Sequence, residues 1–169
     1  MSAVIKTTTP FTIQEVLLEA LEAVGAEPET VTTESLRTQS HRGGLQVGDI
    51  LTNRTDYNGP QHFRFEEGRW ILRHDSSEMN GAVTAVRAAS KKYRRVAEFL
   101  TSVSEEYTAA YQRHLDKLAE QERLRLEESR KARVEATRKQ VITNAKAQGY
   151  SVKEVRNGDK LQVVLTRTV

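Results

Sequence analysis

The sequence predicts an α+β fold, a single antiparallel sheet with helices on one face and a projecting, charged helical arm, and three observations predict it. Residues 82–148 contain neither glycine nor proline. These are the residues that most reliably interrupt a helix, so this stretch is one very long helix or two joined by a tight bend. Residues 49–74 hold three short runs separated by Asn58-Gly59-Pro60 and Glu67-Gly68, which is the turn chemistry of an antiparallel meander. Near the C-terminus, Asn157-Gly158 separates residues 150–155 from 160–167, where Leu161, Val163 and Leu165 alternate onto one face of a closing hairpin. Strands grouped in runs and helices grouped apart from them give the α+β class.

The elements follow in order. Residues 3–9 carry Val4, Ile5 and a run of threonines, a first strand that Pro10 stops. Thr12 and Glu15, three apart, have the spacing of a capping box. Ile13, Val16, Leu17, Ala20, Leu21 and Val24 then recur at helical spacing before Gly25. After Pro28, residues 30–39 are β-branched and polar, consistent with an edge-like strand, and His41, Arg42, Gly43 and Gly44 form a loop. The meander strands fall at residues 49–57, 62–65 and 69–74, with Phe63, Phe65 and Ile71 or Trp70 divided between core and exposed faces. Gly25 and Gly149 each follow a helix and precede a strand, as in two β-α-β-β halves, although the residues of the halves match poorly.

Inside the helical region Val96, Leu100, Val103, Tyr107, Ala110 or Tyr111, His114 and Leu118 are spaced four and three apart, a nearly continuous apolar stripe. Beyond Leu118 the same line runs through Glu122, Arg125 and Ser129 and the stripe dissolves, to resume at Val141 and Ala145. Glu127 with Lys131 and Glu135 with Lys139 are four apart in the favourable order. Glu120 with Arg123, Glu122 with Arg125 and Glu127 with Arg130 are three apart. Each such pair is worth about 0.2–0.5 kcal/mol, enough together to help hold a helix that has no core. Residues 112–137 are therefore expected to be a solvated helical extension inserted in a single domain spanning 1–169.

Composition narrows the chemistry. The 169 residues are 37% hydrophobic and 29% charged, enough for one modest core plus a polar extension. There is no cysteine, which excludes disulfides, thiolate zinc sites, iron-sulfur ligation and a cysteine nucleophile. Twenty-six Lys and Arg against 23 Asp and Glu leave a formal charge of +3, too weak an excess to imply nucleic acid. No signal peptide or membrane-length apolar run is read in the chain, and a cytoplasmic location with no membrane is expected.

Four histidines are present: His41, His62, His74 and His114. His62 and His74 fall in adjacent meander strands with Asp56 and Asp75 nearby, the minimal proton-transfer pairing. No serine elbow and no His-x-x-x-His or acidic metal spacing accompanies them, so no metal or cofactor is expected. The turn His41-Arg42-Gly43-Gly44 lacks the longer glycine pattern and following helix of an anion-binding loop. Arg87, Lys91, Lys92, Arg94 and Arg95 crowd around Tyr93, a patch that neutralises phosphates if it lies on one face, but on a helix these residues spread round the circumference. The residues thus point to a non-catalytic protein-binding or assembly module that self-associates or docks on a larger complex. The expected surface is Leu100, Val103, Tyr107, Tyr111, Leu115 and Leu118. A nucleic-acid protein using residues 87–95 and an enzyme using His62 or His74 are the alternatives.

One family resemblance adds to this reading. The opening residues 5–29, IKTTTPFTIQEVLLEALEAVGAEPE, combine an extended entry, a short helix and a glycine. Near the other end stand Glu98-Phe99-Leu100, Glu106-Tyr107-Thr108, then Ala145-Lys146-Ala147-Gln148-Gly149-Tyr150-Ser151-Val152, Asn157-Gly158 and Val164-Leu165-Thr166-Arg167. In these segments, and weakly at residues 69–73, the chain resembles the plastid and cyanobacterial conserved family called hypothetical chloroplast frame thirty-five. It departs from the family pattern by an insertion at residues 112–137, and AVTAVRAASKKYRRVA stands where the family has a tryptophan-rich segment. The resemblance implies a small soluble protein with no active site to carry over. Because some members lie beside genes for a ring-forming ATPase of the chaperone type, it also implies such an ATPase as a partner.

Overall fold

The computed structural model describes residues 4–38, 44–56, 59–76, 85–86, 95–157 and 160–167. The elements are β1 (Val4–Thr8), α1 (Gln14–Ala23), β2 (Glu29–Thr30), α2 (Thr33–Thr38), β3 (Ile50–Asp56), β4 (Gly59–Glu66), β5 (Arg69–Asp75), β6 (Ala85–Val86), α3 (Val96–Ala147), β7 (Tyr150–Asn157) and β8 (Lys160–Arg167). The α+β class is as expected. Of the glycine-free stretch expected to be helical, Val96–Ala147 is one continuous helix of 52 residues, whereas Ala85–Val86 are strand β6 and not helix. The chain divides into two units, Met1–Leu115 and Asp116–Val169, where a single domain is expected from the sequence.

In the first unit the strands form a fully antiparallel sheet of order β1-β5-β4-β3-β2, with β6 also pairing β3. The β4–β5 hairpin turns at Glu67 and Gly68, whose φ values of 50° and 79° are both left-handed. Two successive positive φ angles match the right-handed twist of the flanking strands, and glycine takes the second without a Cβ penalty. Residues directly opposite across a ladder share a face, so the register sorts the side chains. Ile50, Phe63, Trp70 and Leu72 stand on one face and join Phe11, Val16, Leu17, Ala20, Leu21, Val96, Phe99, Val103, Tyr107 and Ala110 in one core cluster. Both α1 and α3 therefore cover the same face, as anticipated. Phe65, at the hairpin end, is 52% exposed, whereas both Trp70 and Ile71 are buried.

Two local expectations are corrected. The strand expected over residues 30–39 is not formed beyond its first residue: β2 ends at Thr30 and α2 occupies Thr33–Thr38. The reason is a cap, with Ser35 N–H donating to Thr32 Oγ1 at 3.2 Å and Thr32 N–H donating back to Ser35 Oγ at 2.7 Å, a reciprocal arrangement that starts a helix despite the β-branched composition. Thr12 makes no capping bond at the start of α1. Its backbone N–H and that of Ile13 instead donate to the hydroxyl of Tyr107 on α3, at 3.1 and 3.0 Å.

In the second unit, β7 and β8 pair in register from Tyr150↔Arg167 to Asn157↔Lys160. They form a separate two-stranded sheet, not part of the single sheet expected. Alternation along a strand demands cover for one face and does not say what supplies it, so a hairpin that pairs only with itself reads like one that joins a sheet. A lone hairpin is marginal in water and needs a helix against it; here Arg138 of α3 donates to Glu154 of β7 and to Glu135 at 3.0 Å. No side chain between residues 116 and 144 is buried. Their helix is laced by Glu120 with Arg123 at 2.7 Å, Glu122 with Arg125 at 3.7 Å and Glu127 with Lys131 at 2.7 Å. Glu135 pairs with Arg138 rather than Lys139.

Candidate functional site

The six residues expected to form one partner surface are divided by the fold. Val103 and Tyr107 are buried in the core, so these two do not present a partner surface, and Leu100 is partly buried against it. Tyr111 and Leu115 are 39% and 40% exposed, and Leu118, in the second unit, is also exposed. The cause is helical geometry: the buried line Val96, Phe99, Val103, Tyr107 and Ala110 mixes steps of three and four and stays on the core, whereas two successive steps of four from Tyr107, each advancing about 40° round the axis, carry Tyr111 and Leu115 off it.

What remains exposed is firmly held. The Tyr107 ring lies 4.7 Å from that of Phe11, its hydroxyl is fixed by the two N–H groups at the start of α1, and the Tyr111 ring stacks on it at 6.4 Å with planes 8° apart. Elsewhere on α3, Arg113 pairs with Glu19 of α1 at 2.7 Å. Rigid aromatics at partly exposed positions are the usual anchors of protein interfaces. Towards the start of α3 the same side of the helix carries Leu100, Thr101, Ser104 and Glu105. With Thr8, Thr9, Pro10 and Phe11 these line a cleft of about 360 Å³. Thr101 Oγ1 donates to Ala97 O at 2.9 Å within the helix. Glu105 is exposed.

The two histidines do not converge. His62 is opposite Arg73 and His74 is opposite Ile5, which sets them on opposite faces of the sheet. His74 is satisfied on both nitrogens: Nδ1–H donates to Asp75 O at 2.8 Å and Nε2 accepts from Thr7 Oγ1 at 2.7 Å. His62 Nδ1–H donates to Pro60 O at 3.1 Å, leaving Nε2 3.7 Å from Asp49 Oδ2. Burial lowers the pKa of both rings, the imidazolium losing more hydration than its neighbours return. Both are 2% exposed, out of reach of a substrate.

Asp49, which the sequence reading passed over, organises the face opposite the helices. Arg64 grips it with Nε to Oδ1 at 2.8 Å and Nη2 to Oδ2 at 2.5 Å, and gives a further bond to Gly44 O at 2.7 Å. The Asp49 carboxylate in turn raises the Arg64 pKa. Nearby, Glu66 takes Lys6 at 2.7 Å and Arg73 at 2.6 Å, and these hydrogen bonds hold its carboxyl at about 2. On the helix face, fully buried Arg54 lies 4.6 Å over the Phe99 ring and donates to Gln61 Oε1 at 2.9 Å. These pairs join residues on different elements of the chain, and only the tertiary fold brings them together. No short motif announces them.

Arg87, Lys91, Lys92 and Arg94 lie outside the described residues, as do residues 41–43 of the His41-Arg42-Gly43-Gly44 turn. Arg95 is described, and its guanidinium is 4.0 Å from Glu98. Among the described residues no group of three or more His, Asp or Glu could hold a metal ion, and no helix is long and apolar enough to cross a membrane. No protein family, curated protein or solved structure matches the chain.

Proposed function

We propose that the chain is a non-catalytic binding or assembly protein whose α3 presents Tyr111 and Leu115 to a protein partner, a second copy of the chain being the simplest one. The observation that carries this reading is the pair of large apolar side chains left 39% and 40% exposed immediately beyond the core, with Tyr111 held rigid by Tyr107. Rigid aromatic and leucine side chains at such positions lose little entropy when covered, and their burial is what drives association. The enzymatic alternative has little support, because His62 and His74 are buried on opposite faces. Sedimentation equilibrium on the full chain at micromolar concentrations, alone and with Tyr111→Lys and Leu115→Lys combined, tests the reading. Association that the double variant abolishes supports it. A wild-type monomer throughout rejects self-association and leaves the surface to a different protein.

A further inference from the structure

The first unit has a second surface with a different chemistry. β1 is the edge of its sheet: it pairs β5 on one side and, among the described residues, no strand on the other. Val4, Lys6 and Thr8 are exposed along it. The opposite edge is short and doubly flanked, β3 being paired by β2 at Leu51 and Ile50 and by β6 at Thr55 and Arg54. Among the described residues β1 is thus the longer edge left unpaired, with a row of backbone N–H and C=O groups on its far side. Lysine commonly guards such edges, but here the Lys6 side chain is drawn onto Glu66 at 2.7 Å.

At the end of this edge lies the 360 Å³ cleft between Thr8, Thr9, Pro10 and Phe11 and the α3 residues Leu100, Thr101, Ser104 and Glu105. A strand edge beside a helix-walled cleft supplies both parts of peptide recognition by strand addition: main-chain bonds for affinity and a recess for alternate side chains. We infer that β1 and this cleft form a docking site for an extended peptide segment of a partner protein, taken up as an added strand with a small aliphatic side chain in the cleft and a basic one beside Glu105. The carboxylate of Glu105 sets the basic preference, and Leu100 with Phe11 the aliphatic one. A second copy adding its own β1 is a poorer occupant, because centred antiparallel pairing sets Lys6 directly against Lys6 of the other copy, and like charges opposite one another destabilise a ladder.

The probe is a short capped peptide in which threonines alternate with valine, arginine and valine in turn, titrated into the full chain and followed by backbone amide NMR. The expected result is that amides of residues 4–8 and 100–105 shift together and that exchange at β1 slows. Glu105→Lys, an exposed change that leaves the core intact, should weaken binding about fivefold, as should replacing the peptide's arginine by threonine. Tyr111→Lys with Leu115→Lys should leave binding unchanged, which separates this site from the Tyr111 surface. Unmoved amides at millimolar peptide overturn the inference. So do shifts of β1 that track protein concentration without peptide, since these mean self-pairing. Equal binding by Glu105→Lys overturns the assignment of the basic position.

Discussion

Replacing Tyr107 by phenylalanine removes one oxygen and tests how the two helices of the first unit are tied together. The ring packing on Phe11 at 4.7 Å survives the change. What is lost is the acceptor for the N–H groups of Thr12 and Ile13, at 3.1 and 3.0 Å. Leaving a buried donor unsatisfied costs about 1–3 kcal/mol, and two such donors set an upper bound near twice that. Thr12 is exposed and Ile13 half-buried, so water recovers much of the loss, and the expected cost is about 1–2 kcal/mol. Urea unfolding followed by fluorescence reads this directly, because the only tryptophan, Trp70, lies in the same core cluster as Tyr107. Tyr111→Phe is the control, removing the same atom from an exposed ring, and should stay within about 0.5 kcal/mol of wild type. Equal midpoints for the two variants would refute the idea that Tyr107 caps α1 from a distance.

Other consequences follow from the same contacts. Thr12→Ala should cost less than about 0.5 kcal/mol, because its side chain makes no cap, whereas a working Thr cap is worth about 1 kcal/mol; the same unfolding assay decides. Asp49→Ala leaves the largely buried Arg64 without its bidentate partner and should destabilise the first unit by about 3–5 kcal/mol, seen as a large drop in urea midpoint at unchanged m. Burial lowers the folded-state pKa of His62 and His74, so the unfolded chain takes up protons first as pH falls. Stability is full above the unfolded value near 6.5 and should decline below it, at up to about 1.4 kcal/mol per pH unit for each ring. A profile that is flat or rises between pH values of about 6.5 and 5 contradicts the neutral, buried assignment.

Much of the fold was legible because its signals are local. Glu67-Gly68 specifies a hairpin by backbone conformation alone, Pro10 ends β1, and the glycine-free run from residue 82 contains α3. The failures have a common origin in tertiary choice. The Thr12-x-x-Glu15 spacing has the form of a cap, but a tyrosine hydroxyl 95 positions away takes over the N–H. The segment after Pro28 is β-branched, yet Thr32 and Ser35 close a helix start that the composition hides. The C-terminal hairpin alternates like a sheet strand and forms its own sheet. For the candidate surface, the four-three stripe on α3 was visible, but its division into core and exposed parts depends on how far the helix rotates while in contact with α1 and the sheet. Asp49 with Arg64, and the cleft between Thr8 and Glu105, exist only once strands are in register and α3 is laid across them.

The central claim is that the Tyr111 and Leu115 side of α3 is an interface between copies of the chain. The most direct measurement is the mass of the full chain in solution by sedimentation equilibrium, compared with the variant carrying Tyr111→Lys and Leu115→Lys. The account predicts a mass above that of the monomer for the wild type at micromolar concentrations and the monomer mass for the variant. A wild-type monomer, or an oligomer that survives both substitutions, would contradict it.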